Sequence, residues 1–258
     1  MSIKFNYKVS FQFIGTRYNG SQKQLNVLTV EGVLLTSIQK VFLDVVKINI
    51  AGRTDTGVHA SKQYLNFFSV IDVPSTKALI ALNNNLPSDI NIICITQVQT
   101  SFNARFDAIS REYHYCFSNS TIPLEFIPFC TKITFNPREY LFKNITKLFL
   151  GTHDFMGFQK LGSNERTTIR TIFKCDIKKK YFKSLYENEN ISHYYVLEIK
   201  ANSFLYRMVR NIVGAIFEVL KGNKSSEDLK KLIEFQDKTK FLYSPAKANG
   251  LCLVKVNY

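Results

Sequence analysis

Phe5, Tyr7, Val9, Phe11 and Phe13 alternate with Asn6, Lys8, Ser10 and Gln12, a period of two that predicts a strand with one face turned to a core. The period then lengthens. Val30, Val33, Leu34, Ile38, Val41 and Phe42 recur at spacings of three and four behind Thr29, whose hydroxyl suits an N-cap, so an amphipathic helix follows and packs on the sheet of the first strand. Gln63 to Ile71 predicts a second strand, Ser75 to Asn83 a helix, and Ile90 to Val98 a further strand. Strands alternating with helices on one side give an α+β layer, sheet below and helices above.

A second set of elements follows. Arg111, Tyr113, Tyr115 and Phe117 share one face of a strand, and for Tyr115 and Phe117 that face reads as packing. The stretch 118–135, broken by Pro123 and Pro128, carries no predicted element, and Asn136 suits the cap of a helix over Tyr140, Leu141, Ile145 and Leu148. Thr171 to Phe182 and Ser192 to Ala201 predict two strands joined by a charged loop holding Lys178, Lys179 and Lys180 and then Glu187 and Glu189. A lysine run at such a place is read either as a solvated hairpin tip or as a phosphate contact.

Phe204, Met208 and Ile212 fall on one helical stripe, with Leu205, Val209 and Val213 beside it, which predicts a largely buried helix. Arg210 is its exception. A guanidinium there needs a carboxylate partner or must snorkel to the surface. Ser225 or Ser226 starts a short helix, and Leu251 to Val256 closes the chain as a strand. Two sets of strands and helices imply two domains, divided near residue 104 into 1–104 and 105–258.

Composition narrows the partners. A chain of 258 residues, 45% hydrophobic, holds one large or two modest cores, and a formal charge of +14 draws polyanions, whether RNA, DNA or an anionic membrane. An AT-rich genome inflates Lys together with Asn, Ile and Phe, and the extra lysines account for part of that charge. The five cysteines form no Cys-x-x-Cys pair and the four histidines show no paired spacing, so neither a disulfide framework nor a catalytic metal is expected. With no signal peptide and no apolar run of membrane-spanning length, the expected compartment is the cytoplasm.

The densest chemistry lies in Ala51-Gly52-Arg53-Thr54-Asp55-Thr56-Gly57-Val58-His59-Ala60, directly after the apolar run 45–50. Glycine at 52 and 57 suits a loop that closes on a ligand. Asp55 has three readings. As a turn aspartate it bonds its own backbone. As part of Asp55-Thr56-Gly57 it spells the aspartic protease triplet, but that chemistry needs two carboxylates sharing one proton. No second triplet exists, and a dimer that supplied one by symmetry would have apolar residues where Arg53 and Thr54 stand.

The third reading comes from the whole stretch. Gly52-Arg53-Thr54-Asp55-x-Gly57-Val58-His59-Ala60 resembles the catalytic motif of the tRNA pseudouridine synthase A family. Further segments resemble the family in its own order. They are Tyr18-Asn19-Gly20-Ser21-Gln22, Asn85-Leu86-Pro87-x-Asp89-Ile90, Phe102-x-Ala104-Arg105-Phe106-x-Ala108, Gly151 to Phe155, Ala201 to Gly214, and Pro245 to Leu253. One departure stands out: Ser21 occupies the place of the family's usual tryptophan, in a chain with no Trp.

The resemblance implies two α/β domains with related antiparallel sheets, a cleft between them for RNA, and a homodimer. It implies isomerisation of uridine to pseudouridine at positions 38 to 40 of the tRNA anticodon stem-loop, without a cofactor. Asp55 becomes the nucleophile, Arg53 the arginine that flips and holds the base, Tyr113 the ring that stacks on the uracil, and Arg210 the cation paired with Asp55. Gln22, Arg105 and Arg166 are the further candidates for substrate contact, and His59 supports the loop. A non-catalytic RNA-binding protein on the same fold is the competing function; it would keep the basic charge and discard the carboxylate.

Overall fold

The computed structural model describes residues 4–160, 162, 165–183, 190–236 and 242–258. The chain forms two compact units, one of residues 1–109 with 253–258, the other of residues 110–252.

The first unit is built on β1 (Phe5–Phe13), where Tyr7, Val9, Phe11 and Phe13 are buried as the alternation predicts. Helix α1 (Val30–Val41) starts where Thr29 accepts the Gly32 N–H, the hydroxyl cap that the sequence offered. A short strand β2 (Asn49–Ile50) precedes β3 (His59–Ser69), then come α2 (Ser75–Asn84) and β4 (Ile90–Val98). β1 lies between β4 and β3, antiparallel to both, with Tyr7 opposite Phe67 and Val9 opposite Leu65. Tyr7, Phe42 and Phe67 meet with ring centroids 4.8 to 5.2 Å apart, an aromatic cluster joining the end of α1 to the sheet.

Asn6 and Ser10, polar positions of β1, are buried too. The reason is visible for Asn6. Its amide donates to the Gln99 and Phe102 carbonyls, while its oxygen accepts from Asn66, whose own oxygen accepts the Ala104 N–H. A buried amide pair therefore pins the chain that leaves β4.

The second unit orders β5 (Ser110–Ser118), β9 (Asn190–Ala201), β8 (Ile169–Lys183) and β7 (Gly151–Asp154) side by side, all antiparallel, with the two-residue β6 (Thr131–Lys132) parallel to β5. Tyr113, Tyr115 and Phe117 are buried on one face of β5, and Tyr115 is core as expected, its hydroxyl bonded to Thr131 and the Lys247 carbonyl. A 3-10 turn (Glu139–Leu141) leads into α3 (Phe142–Lys147), and Asn136 caps neither: it accepts a bond from Asn119 instead.

Helix α4 (Met208–Lys221) is buried along nearly its whole length, but it starts later than the hydrophobic stripe suggests. Arg207 adopts a left-handed conformation, φ 62°, so Phe204 and Leu205 precede the helix. α5 (Ser226–Phe235) opens with a capping box between Ser225 and Asp228. The last strand, β10 (Leu251–Asn257), carries the chain back into the first unit beside β3.

The lysine run is not at a hairpin tip. Lys178, Lys179 and Lys180 lie within β8, and strand alternation sorts them: Lys178 and Lys180 face Glu198, whereas Lys179 reaches Glu139 on the other side. Glu187 and Glu189 lie outside the described residues. The thiols divide as well. Cys130 and Cys175 are buried, Cys116 and Cys252 are half-buried and Cys94 is exposed. Among the described residues, no helix is long and apolar enough to cross a membrane.

Candidate active site

Asp55 sits on the loop between β2 and β3, half-buried, with exposed Arg53 and buried Thr54 before it. The base of the loop is tied to β3: Ala51 donates its N–H to the Tyr64 carbonyl at 2.9 Å, and the buried Gln63 amide donates to the Gly52 carbonyl at 2.9 Å. Its tip is a turn in which Val58 N–H donates to the Asp55 carbonyl at 3.1 Å, with Gly57 at φ 79° in the third position. A side chain at that position would be strained, which is the physical content of this glycine. The backbone carbonyl of Asp55 thus closes the turn, a bond that any residue at this position accepts and that is independent of its carboxylate.

A second loop braces the first. Residues 15–22 follow β1, and Gly20, at φ 84°, lies so close that a Cβ there would fall 2.8 Å from the Thr54 carbonyl oxygen. Ser21 and Thr54 exchange two hydrogen bonds, Thr54 N–H to Ser21 Oγ at 2.8 Å and Ser21 N–H to Thr54 C=O at 3.1 Å. Gly15 N–H donates to His59 Nδ1 at 3.0 Å, so the ring lone pair at Nδ1 is engaged and this buried histidine ties β3 to the bracing loop. Gln22 lies just past the brace, exposed.

The brace has its own anchor, Asp89. Tyr18 OH donates to Asp89 Oδ1 at 2.6 Å, Arg17 lies 3.4 Å from Oδ2, and Ile14 N–H donates to the Asp89 carbonyl. Burial, then the bond to this carboxylate, pushes the Tyr18 phenol above its ordinary range. Two motifs far apart in sequence, at 18–22 and 85–90, thus meet in one support. Sequence reading matched both without seeing that they touch. Arg105 sits farther along the first unit, exposed, beside a turn in which Asn103 and Asp107 hold each other, with its guanidinium 5.7 Å from the Phe106 ring.

In the second unit, Tyr113 on β5 packs edge-on against Phe204, centroids 5.2 Å apart at 88°. Phe204 belongs to the lead-in of α4, the helix that carries Arg210, and Arg111 on the same strand donates to the Asn202 carbonyl at 3.0 Å. Arg210 is half-buried; its Nε donates to the Ala246 carbonyl at 2.7 Å, and Ala246 N–H donates back to the Arg210 carbonyl at 3.0 Å. Arg210 is thereby aimed by backbone on both sides. Tyr113 and Arg210 accordingly lie on adjoining elements, whereas Arg166 is exposed on the chain entering β8. Tyr206 was not singled out by sequence; it is exposed at the turn into α4, with Lys160 Nζ 4.9 Å and the Arg207 guanidinium 5.6 Å from its ring.

A family model described as tRNA pseudouridine synthase matches residues 9–107 and 145–258. The matched residues include both braced loops, Arg105, Arg166 and Arg210; Tyr113 falls in the stretch between the two matched parts. Proteins named tRNA pseudouridine synthase A are similar over nearly the whole chain. That of Thermoanaerobacter sp. (strain X514) is 35% identical over 254 residues, covering 98% of this chain and 99% of the relative. Those of Shewanella piezotolerans and Clostridium kluyveri are 34% and 33% identical, covering 97% and 98% of this chain and 92% and 99% of theirs.

Proposed function

The chain belongs to the tRNA pseudouridine synthase family, and from that premise we propose that it isomerises uridine to pseudouridine in tRNA, with Asp55 as nucleophile. The reaction breaks the N1–C1′ glycosidic bond, turns the uracil, and joins C5 to C1′; the C5 proton leaves to solvent and N1 takes one up. Atoms and electrons balance within the nucleoside, so the chemistry calls for no redox partner or group donor. Whether Asp55 attacks C1′ or C6, covalent catalysis divides one hard step into easier ones.

One observation carries the reading: a carboxylate-bearing residue, half-buried, on a loop held from β3 on one side and from the 15–22 loop on the other, with exposed Arg53 two residues away. A fixed loop is what a nucleophile needs, since small misplacements cost large factors in rate. The target base cannot be reached while stacked, so it is everted. Arg53 fills or holds the vacated place, Tyr113 stacks on the uracil, and Arg210 is the counter-cation of Asp55. Gln22, Arg105 and Arg166 add contacts to the RNA, whose phosphates the net charge of +14 attracts.

The finer assignments are part of the same proposal. The substrate is the anticodon stem-loop, at positions 38 to 40, recognised through shape and backbone as structured RNA generally is. Each compact unit is one domain, and the enzyme acts as a cytoplasmic homodimer. The test is tritium release from tRNA labelled at uracil C5. Release with pseudouridine appearing at positions 38 to 40 is the expected result. Retained tRNA binding with no release would leave a non-catalytic RNA-binding protein in its place.

A further inference from the structure

Ser21 stands where the resemblance places tryptophan, and an indole has one N–H donor and no acceptor. Ser21 instead accepts. It is 1% exposed, and its Oγ takes the Thr54 N–H at 2.8 Å while its own N–H goes to the Thr54 carbonyl at 3.1 Å. Its carbonyl accepts the Glu31 N–H at 2.9 Å, and the Gly20 carbonyl accepts the Val30 N–H at 3.3 Å, so the same dipeptide is docked on the first turn of α1. Rigid helix and reactive loop are joined through one residue.

Thr54 is held by its backbone alone. Its Oγ1 is buried without a partner among the described residues, so the side chain does not anchor the loop. The two segments run close: a Cβ built on Gly20 would fall 2.8 Å from the Thr54 carbonyl oxygen and 3.4 Å from the Thr56 nitrogen. Without the serine acceptor, the buried Thr54 N–H would be unsatisfied.

We propose that Ser21 is a positioning residue for Asp55, fixing the loop one peptide before it by accepting the Thr54 N–H. The inference rests on Asp55 being the nucleophile. It also implies that this chain places a hydrogen-bond acceptor where the resemblance has an indole, which offers none.

The test compares wild type, Ser21→Ala and Ser21→Thr in the full-length protein by two measurements. In steady-state tritium release, Ser21→Ala is expected to lower kcat on the order of tenfold with KM for tRNA kept within about twofold, and Ser21→Thr to recover most of the loss. In amide hydrogen exchange, Ser21→Ala is expected to speed exchange over residues 54–58 while the amides of β1 and α1 keep their protection. Wild-type kcat together with wild-type protection in Ser21→Ala would overturn the proposal. So would exchange that rises throughout the first unit, because that pattern marks a stability role and not a positioning one. If wild type released no tritium, the catalytic reading would fail by itself, and the exchange measurement would still decide whether Ser21 holds the loop. Should Ser21→Thr misfold, kcat and exchange in Ser21→Ala carry the decision.

Discussion

Two carboxylates in this molecule are held in opposite ways. Glu198 lies within β9, its side chain 7% exposed, with Lys174 Nζ at 2.7 Å, Lys178 Nζ at 2.8 Å and Lys180 Nζ at 3.9 Å. Burial is the largest single influence and opposes its charge, yet the hydrogen bonds from Lys174 and Lys178 outweigh it and carry the group down to about 2. Asp55 lies on a loop, half-buried, and it is the backbone around it that is fixed, by Ser21, Gln63 and the turn at Gly57. A sheet cages a charge; a braced loop presents one. A search by acidity alone would lead to Glu198 and away from the proposed nucleophile, because ion-pair networks shift carboxylates as strongly as active sites do.

The sharpest way to break this contrast is to neutralise each acid without changing its shape. Asp55→Asn is expected to lower tritium release by at least about a thousandfold, with tRNA affinity within a few fold, since an amide is no nucleophile. Glu198→Gln should leave turnover within a few fold and cost stability, about 2 kcal/mol, by stranding two lysines. Turnover surviving in Asp55→Asn would remove that residue from the mechanism. A catalytic defect in stable Glu198→Gln would undo the division between the two.

Arg210→Met comes next. The proposal expects turnover to fall about a hundredfold, as for loss of a preorganised charge at a reacting group. The variant also loses the bond from Nε to the Ala246 carbonyl, so rate must be read per folded molecule, with melting followed by circular dichroism. Wild-type turnover in folded Arg210→Met would take the arginine out of the site.

Sequence reading reached the elements whose cause is local. The alternation of β1, the Thr29 cap of α1 and the Ser225 start of α5 each depend on residues within one turn or one strand, and all three are where the pattern put them. The candidate loop was legible for a similar reason: its glycines, arginine and aspartate all lie within residues 52–57. What escaped was set by distance in the chain. The Asn6–Asn66 amide pair, the Tyr18–Asp89 bond and the Ser21–Thr54 brace join residues 60, 71 and 33 positions apart, and no periodicity encodes them. The start of α4 was misplaced because Phe204 and Leu205 continue its apolar stripe while Arg207, in the left-handed region, interrupts the backbone. A stripe records burial, and buried residues need not be helical.

The smallest expected effect separates the lysines around Glu198. The glutamate's folded value is depressed, so its contribution to stability is complete above its ordinary value of 4.5 and is lost as pH falls toward about 2. Removing a lysine raises the folded value and moves that loss to higher pH. Lys174, 2.7 Å away, has its own value raised first of all by the hydrogen bond to Glu198, and its contribution is therefore present below 10.5 and lost as pH rises past it. Lys174→Met should then move the acid unfolding midpoint upward and lower stability at neutral pH, a deficit that closes above 10.5 as the wild-type lysine loses its proton, whereas Lys180→Met, acting from 3.9 Å, should move the acid midpoint by a small fraction of that shift. Acid and alkaline titrations followed by circular dichroism make the comparison. Equal shifts in the two variants would mean that the lysines act as a diffuse field and not through the two short bonds, and Glu198 would lose its standing as a caged charge.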